Sequence, residues 1–270
     1  MKLDRSSSGA AVPLSLSNGW RGIRDEQIAL EVIVQALSAH ETGSGETVKS
    51  DHRSLVTACE VEGVALVVKE VRKAGARRRI ADVFRGAPAL RAFRAGRRLL
   101  EHGIGAARPL AAVAQRVLGV PLRSRLVSLD LRDEPTAASL LAQDLAVRPQ
   151  VLSALADLLI ALHRCCVVHG DLRAQHVHVE AGEAEGPHLR LIDLESVHFH
   201  GRRFGKRRSR QGLSDAQRLA AIGQLLGSIP AEHATPEERR AAFDRYVDEL
   251  PLAAGADQAW SEVRRMVSHW

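Results

Sequence analysis

Aromatic side chains are scarce in this sequence, and their scarcity limits both its core and its partners. The 270 residues include five Phe, three Trp and one Tyr. The core must therefore be built mainly from Leu, Val, Ile and Ala. Proteins that bind single-stranded nucleic acid use aromatic rings on which bases stack. The composition thus predicts no nucleic-acid partner, although the net charge is +6 and Arg dominates it.

Cysteine and long apolar runs are also rare. The three cysteines, Cys59, Cys165 and Cys166, are odd in number and lack CxxC spacing. They argue against a disulfide framework or a zinc ribbon and favour a reducing compartment. No stretch approaches the roughly 18 consecutive apolar residues that predict a membrane-spanning helix. We therefore expect a cytoplasmic protein.

Hydrophobic periodicity divides the chain into a strand-rich and a helix-rich part. Residues 1–19 predict a loose arm, and helical spacing follows at 27–39. Apolar runs at 54–61 and 64–71, separated by Glu62-Gly63, predict a β-hairpin. A helix over 88–102 and strands at 110–118 and 125–131 follow, and helical spacing then dominates. The prediction is an α+β fold with an N-terminal arm and helix, a strand-rich lobe and a helical lobe, over residues 1–45, 46–132 and 133–270.

A polar loop after a strongly helical segment carries the residues that indicate chemistry: His169, Asp171, Arg173 and His176. An apolar strand further on ends at Asp193, and Lys69 lies near the end of the second hairpin strand. Phosphoryl transfer needs a lysine that holds nucleotide phosphates, an aspartate that orients a hydroxyl and two metal ligands. The order and spacing of these residues predict that reaction.

The pattern resembles the protein-kinase-like superfamily, and most closely the lipopolysaccharide core kinases that act on heptose or Kdo. His169-Gly170-Asp171-Leu172 stands where kinases have His-Arg-Asp-Leu. Ile192-Asp193-Leu194 stands in the place of Asp-Phe-Gly, and His176 replaces the metal-binding Asn. The resemblance covers roughly residues 47–250. It implies a two-lobed kinase-like fold and ATP-dependent phosphorylation of a sugar hydroxyl in the lipopolysaccharide inner core.

The resemblance assigns the reacting groups. Asp171 would orient or deprotonate the sugar hydroxyl, and Arg173 would stabilise charge on the transferred phosphoryl group. His176 and Asp193 would bind Mg²⁺. Because Mg²⁺ prefers oxygen ligands, the histidine favours Mn²⁺ as an alternative.

The resemblance also assigns residues that support the site. Lys69 would contact the α- and β-phosphates of ATP, and the turn containing Ser50 and Arg53 would cover them. His169 would brace the catalytic loop from within. Asp215, which opens a predicted helix, is similar to the family's structural aspartate that braces this loop.

Two departures from the kinase pattern leave a second interpretation open. The covering turn at residues 50–54 contains no glycine, and Ala92 occupies the helix position where a glutamate should face Lys69. A catalytically degenerate, nucleotide-binding regulatory module is therefore an alternative. A zinc-dependent hydrolase is another, because the pairs His176/His178 and His198/His200 have metal-ligand spacing beside Asp193.

The whole net charge equals that of one basic stretch, which contains Arg202, Arg203, Lys206, Arg207, Arg208 and Arg210. In a kinase-like topology this stretch lies beside the acceptor site. It would contact the phosphorylated sugar-lipid or an anionic membrane surface, so peripheral attachment to the inner membrane and a membrane-associated protein kinase are further alternatives.

Overall fold

The computed structural model describes residues 9–52, 54–72, 82–117, 119–180, 187–200 and 212–267. The chain forms two compact units, Met1–Leu131 and Arg132–Trp270. The first unit is rich in strands and the second in helices, as predicted.

An antiparallel sheet of seven strands forms the first unit. The strands are β1 Ala11–Ser15, β2 Trp20–Asp25, β3 Glu46–Ser50, β4 Ser54–Val61, β5 Val64–Val71, β6 Pro109–Val117 and β7 Val120–Leu129. Their order across the sheet is β1-β2-β6-β7-β5-β4-β3. The predicted hairpin is confirmed as β4 and β5. Its turn residues Glu62 and Gly63 both have positive φ, 52° and 75°, as the tight turns that match strand twist require.

Two helices cover opposite faces of this sheet. Helix α1, Leu30–Thr42, buries Ile33 and Leu37 against a cluster that includes Leu66 and Val127. Helix α2, Pro88–Glu101, packs Phe93 on the other face, against Ala112 and Leu126. Because successive strand residues point to opposite faces, neighbouring residues of β5 and β7 serve different helices.

The predicted loose arm is wrong where the structure describes it. Residues 11–15 form β1, which pairs with β2 from Ala11↔Asp25 to Ser15↔Arg21. Only Leu14 of this strand is fully buried, so the sequence shows little alternation. Pro13 also argues against a central strand, but β1 lies at the edge of the sheet, where a proline is tolerated. Residues 11–15 are therefore part of the sheet, as are residues 20–25.

The described residues of the second unit form five α-helices and two small sheets. The helices are α3 Ala137–Gln143, α4 Arg148–Arg164, α5 Asp215–Gly227, α6 Pro236–Glu249 and α7 Ala256–Met266. Strand β8 Val167–His169 pairs with β11 Val197–Phe199, and β9 Val177–Glu180 pairs with β10 His188–Leu191. Ser214 caps α5 and Thr235 caps α6, each in a complete capping box. In the described part of the chain no helix is long and apolar enough to cross a membrane.

Buried polar groups tie the helices of the second unit together. Arg239, 1% exposed, donates hydrogen bonds to the carbonyls of four residues in the last turn of α5 and the segment before α6: Leu226, Ile229, Pro230 and Ala234. Tyr246 Oη accepts a hydrogen bond from Arg218 Nε at 2.7 Å and lies 2.8 Å from His163 Nδ1. The tyrosine hydroxyl therefore links the guanidinium of Arg218 to the imidazole of His163. Burial, assisted by the charge of Arg218, lowers the pKa of His163 to about 4.

Candidate active site

The polar loop between β8 and β9 is held to the end of β10 by a buried histidine. His169, 1% exposed, accepts the backbone N–H of Asp171 at Nδ1, at 3.3 Å. Its Nε2 therefore carries the proton, which it donates to the carbonyl of Ile192 at 3.1 Å. Burial is the main reason that the pKa of His169 lies below its usual value. The neutral ring connects the segment of Asp171 to the residue that precedes Asp193.

Three side chains of this region converge on one point. Asp171, His176 and Asp193 each offer a ligand atom, and the three atoms lie within 4.8 Å of one another. All three residues are partly exposed. Two carboxylates and an imidazole at this spacing fit a divalent cation. The predicted metal residues His176 and Asp193 thus lie together, and the predicted base Asp171 is the third member of the same cluster.

Hydrogen bonding fixes which ring nitrogen of His176 carries the proton. Its Nδ1 lies 2.8 Å from the backbone carbonyl oxygen of Asp171. A carbonyl only accepts, so Nδ1 must donate and the lone pair of the neutral ring is on Nε2. Nε2 lies 3.4 Å from the side-chain amide nitrogen of Gln175. Metal-binding histidines are commonly oriented by one ring nitrogen that donates to the backbone, as Nδ1 does here.

The loop between β8 and β9 and the segment between β10 and β11 form a loop pair. Backbone constraints at Gly170 and Asp193 shape it. Asp193 has a φ of 58°, in the left-handed region, which aspartate tolerates better than most residues. Gly170 donates its N–H to the carbonyl of Ser196 at 3.0 Å. A Cβ at position 170 would lie 3.1 Å from that same oxygen. The residue where protein kinases have arginine is therefore closely packed against the segment that follows Asp193.

Arg173 is paired with Asp171. Its Nε donates to Asp171 Oδ1 at 3.0 Å, and its side chain is 51% exposed. The second carboxylate oxygen, Oδ2, lies 3.9 Å from His176 Nδ1. One oxygen of Asp171 is thus oriented by the arginine, while the other lies on the side of the histidine.

A glutamine that the sequence analysis missed clamps the backbone on both sides of Asp171. Gln224 Oε1, on α5, accepts the N–H of Leu172 at 3.1 Å. Its Nε2 donates to the carbonyl of Gly170 at 3.3 Å. At the C-terminal cap of the same helix, Ser228 Oγ accepts the N–H of Ala174 at 2.9 Å. The sequence signal that could have identified it is a single glutamine within the otherwise apolar run of residues 219–227.

The brace that was predicted for Asp215 is therefore wrong. Asp215 accepts hydrogen bonds from Arg218 Nη1, at 3.1 Å, and from the backbone N–H of Ala253, at 2.8 Å. It stabilises the first turn of α5 and the chain after α6. The residues that reach the loop lie two to four turns further along the helix, because the loop packs beside its C-terminal half.

The spacing of the pairs His176/His178 and His198/His200 made a zinc site an alternative. The structure does not form such a site from these pairs. His178 Nδ1 lies 3.1 Å from the backbone carbonyl of Glu134, and the side chain is buried. In the described part of the second unit, the cluster with Asp193 includes His176 and not His178. His198 lies on β11 and His200 just beyond it, both exposed.

The predicted nucleotide residues of the first unit lie on β3 and β5. Lys69 is partly buried and shares its face of the sheet with Leu126, which packs against α2. Ala92 of α2 is fully buried, and Glu101 is the one acid of that helix. Ser50 is exposed at the end of β3. Arg53 lies outside the described residues.

The turn after Ser50 is closed by a carboxylate. Asp51 Oδ1 accepts the backbone N–H of Ser54 at 2.7 Å, and Lys49 Nζ lies 3.4 Å from Asp51 Oδ2. The N–H of Asp51 donates to the carbonyl of Ser54. These two N–H groups are used within the turn, which agrees with the absence of a glycine-rich phosphate cradle. The basic stretch of residues 202–210 lies outside the described part of the chain.

The fold and this loop pair define the class of the protein, a kinase-like phosphotransferase. The structure is similar to one described as WaaP in complex with acyl carrier protein, with a TM-score of 0.61 and 17% identity over 85% of this chain and 91% of that chain. It is also similar to vaccinia related kinase 3, with a TM-score of 0.41 and 15% identity over 99% of this chain and 86% of that chain. No curated protein sequence matches.

The family follows from the sequence itself. The model of the Lipopolysaccharide kinase (Kdo/WaaP) family matches residues 41–233. This chain therefore belongs to the lipopolysaccharide kinase (Kdo/WaaP) family, and the resemblance drawn from its motifs is confirmed. Membership implies a kinase that uses ATP and a divalent metal and acts on the lipopolysaccharide core.

Proposed function

We propose that this chain transfers the γ-phosphoryl group of ATP to a hydroxyl of heptose or Kdo in the lipopolysaccharide inner core. The convergence of Asp171, His176 and Asp193 within 4.8 Å, with Arg173 bonded to Asp171, is the observation that supports this proposal most strongly. In the reaction, the hydroxyl oxygen bonds to phosphorus, the bond between phosphorus and the leaving oxygen breaks, and the hydroxyl proton is lost.

The residues of the loop pair divide this work. Asp171 orients the acceptor hydroxyl and accepts its proton, which places a carboxylate oxygen at the point of attack. Arg173 holds the other oxygen of Asp171 and brings a positive charge to the transferred group. His176 and Asp193 would hold the divalent cation, which when bound neutralises phosphate charge. Lys69 would contribute a further positive charge to the nucleotide phosphates.

The ligand set favours Mn²⁺ over Mg²⁺. An imidazole nitrogen is a good ligand for Mn²⁺ and a poor one for Mg²⁺, which prefers oxygen. We expect Mn²⁺ to bind the wild-type protein more tightly than Mg²⁺. His176→Asn, which replaces the nitrogen by an amide oxygen, should reduce that preference. Calorimetric titration of each metal measures it without turnover, and an unchanged preference would exclude His176 as a ligand.

The acceptor is identified with two delipidated core oligosaccharides, one that ends in Kdo and one that also carries heptose. Wild-type protein with ATP and metal should phosphorylate one of them, and Asp171→Asn and Asp193→Asn should each reduce turnover by about 10³-fold or more. Both variants should keep the wild-type melting temperature within a few degrees. Wild-type turnover in either variant contradicts the proposed roles.

A nucleotide-binding module without catalytic activity is the second candidate. Two features favour it, because both weaken the expected binding of the nucleotide. They are the carboxylate of Asp51, which closes the turn beside Ser50, and the buried Ala92. This candidate predicts ATP binding without phosphate transfer to either oligosaccharide, and no effect of Asp171→Asn on binding.

We propose further that the basic stretch contacts anionic lipid or the phosphorylated acceptor, which places the protein at the inner membrane. Changing Arg202, Arg207 and Arg208 to Ser should weaken binding to vesicles that contain anionic lipid, and salt should weaken wild-type binding in the same way. Equal binding of the variant and the wild type at all salt concentrations would reject this surface.

A further inference from the structure

A groove of about 450 Å³ opens in the first unit between α1, the β1–β2 hairpin and the sheet. Its floor is formed by four buried residues, Trp20, Leu37, Val113 and Arg125. Exposed or half-buried side chains form its rim, namely Ser15, Leu16, Ser17, Val34, Ser38 and Glu41. This volume is within the range of small-molecule sites. None of these residues belongs to the proposed active site.

The floor contains a cation whose hydrogen bonds are incomplete. Arg125 has a side chain that is 3% exposed, and its guanidinium lies 4.4 Å above the ring of Trp20. Its Nε donates to Glu70 at 2.7 Å, and its Nη1 has a long contact of 3.4 Å with Glu41. Among the described residues, Nη2 has no hydrogen-bond partner. Buried guanidinium groups normally have partners for their donors.

The charges around this cation leave an excess of one positive charge. Glu70 is paired with Arg72, Arg123 and Arg125, and Glu41 adds the second carboxylate. Burial raises the pKa of Glu70, but the hydrogen bonds from His40, Arg125 and Arg123 outweigh burial and hold it well below its usual range. Glu70 is thus ionised, and three guanidinium groups share two carboxylates; of these five groups, Arg125 and Glu41 line the groove, and Arg72 and Arg123 are partly exposed beside it. An additional anion complements this cluster.

We propose that the groove binds an acidic sugar, a mono- or disaccharide that carries one carboxylate or phosphate group. The anion would complete the hydrogen bonds of Arg125. The apolar face of a sugar ring fits a floor of Trp20, Leu37 and Val113, and its hydroxyls match the serine hydroxyls and the Glu41 carboxylate at the rim. A purely aliphatic ligand would leave these rim groups unused, and a neutral ligand would leave the charge excess. The site does not depend on the proposed kinase activity.

Trp20 provides the readout, because it lines the groove. In a Trp260→Phe/Trp270→Phe background, Trp20 is the sole fluorophore of its kind. The probes are galacturonate, glucose 6-phosphate, glucose and octanoate. We expect saturable changes in Trp20 fluorescence with the two acidic sugars. Glucose should bind at least about tenfold more weakly, since it lacks the charge. The order of galacturonate and glucose 6-phosphate tells whether the natural anion is a carboxylate or a phosphate.

Two variants on α1 separate the groove from the rest of the surface. Ser38→Phe fills the groove without touching the buried ion pairs, and should abolish binding of both acidic sugars. Gln35→Phe, at an exposed position of the same helix outside the groove, should bind as the wild type does. Arg125→Met should also abolish binding, but the loss of its pair with Glu70 affects folding, so Ser38→Phe is the deciding variant.

Several results would overturn the proposal. They are no saturable signal with either acidic sugar, binding of octanoate equal to that of galacturonate, and unchanged binding in Ser38→Phe. Asp171→Asn should bind the acidic sugars as tightly as the wild type. That control separates this site from the proposed active site, so an inactive protein that still binds in the groove contradicts only the kinase proposal.

Discussion

The glutamine that holds the backbone on both sides of Asp171 gives the sharpest test of the proposed site. Gln224→Leu keeps the size and helix propensity of the side chain and removes both of its hydrogen bonds, to Leu172 N–H and to the carbonyl of Gly170. Each such bond contributes about 1 kcal/mol, so the variant should lose roughly 2 kcal/mol of unfolding free energy. The protein should still fold, because α5 keeps its apolar contacts.

The effect on turnover should be larger than this loss of stability suggests. The two bonds fix the peptide groups that flank Asp171, and a displacement of about 1 Å at a reacting group reduces catalysis by roughly 10²-fold. We expect kcat to fall by about 10- to 100-fold, while the KM for ATP changes less than about threefold. Gln224→Glu should also lower kcat, since a carboxylate keeps the acceptor for Leu172 but cannot donate to Gly170.

A second glutamine on the same helix is the matched control. Gln217 Oε1 accepts the backbone N–H of Ser214 in the capping box, at 3.0 Å. Gln217→Leu should therefore cost about 1 kcal/mol of stability and leave kcat unchanged. Urea denaturation and steady-state kinetics at saturating acceptor measure both quantities. If Gln224→Leu keeps the wild-type kcat, or if Gln217→Leu loses as much, the clamp has no role in positioning Asp171.

Three further predictions concern stability. His163 has a pKa of about 4 in the folded protein and about 6.5 in the unfolded chain. Its contribution to the free energy of unfolding is therefore complete above pH 6.5, and up to about 3 kcal/mol is lost as the pH falls to 4, because the unfolded chain takes up the proton first. In His163→Phe the free energy of unfolding should fall less steeply over that pH range. Arg239→Met should cost about 3–5 kcal/mol by leaving four carbonyls without a donor, whereas Arg240→Met, at partly exposed ion pairs with Asp244 and Asp257, should cost at most about 1 kcal/mol. Leu14→Ala should cost about 2–4 kcal/mol because β1 belongs to the sheet, and a cost near zero in urea titrations would instead support a loose arm.

The strands that the sequence could predict are those whose signals are local. The β4–β5 hairpin has apolar runs on both sides of a Glu-Gly turn, and the structure confirms it. The edge strand β1 lacks such a signal. Its single buried residue, Leu14, gains its stabilising contacts from a cluster that includes α1 and β6, far away in the chain. The alternation of apolar and polar residues is weak where only one side chain is buried, so residues 11–15 alone do not predict the strand.

The loop pair shows the same division between local and distant information. Asp171, Arg173 and His176 are close in sequence, and the ionic and metal-ligand chemistry of these residue types is visible in their spacing. The partner of Leu172 is Gln224, 52 positions away, and backbone groups accept many kinds of side chain. The kinase motifs predicted Asp215 as the residue that braces the loop. Asp215 lies at the start of α5, the helix that does contact the loop. The geometry of the loop against α5 decided which residue of that helix reaches it.

The two faces of β5 explain which side of the sheet Lys69 lies on. Lys69 and Glu70 are consecutive, so their side chains point to opposite faces of the sheet. Glu70 is 1% exposed and is paired with arginines of β7 and with Arg72. A one-residue slip of β5 would place Lys69 in that buried cationic cluster and Glu70 on the α2 face. The cost of burying a lysine beside the guanidinium groups of Arg123 and Arg125 excludes this register. The buried ion cluster therefore fixes the face on which Lys69 lies, although no residue of the cluster is part of the proposed active site.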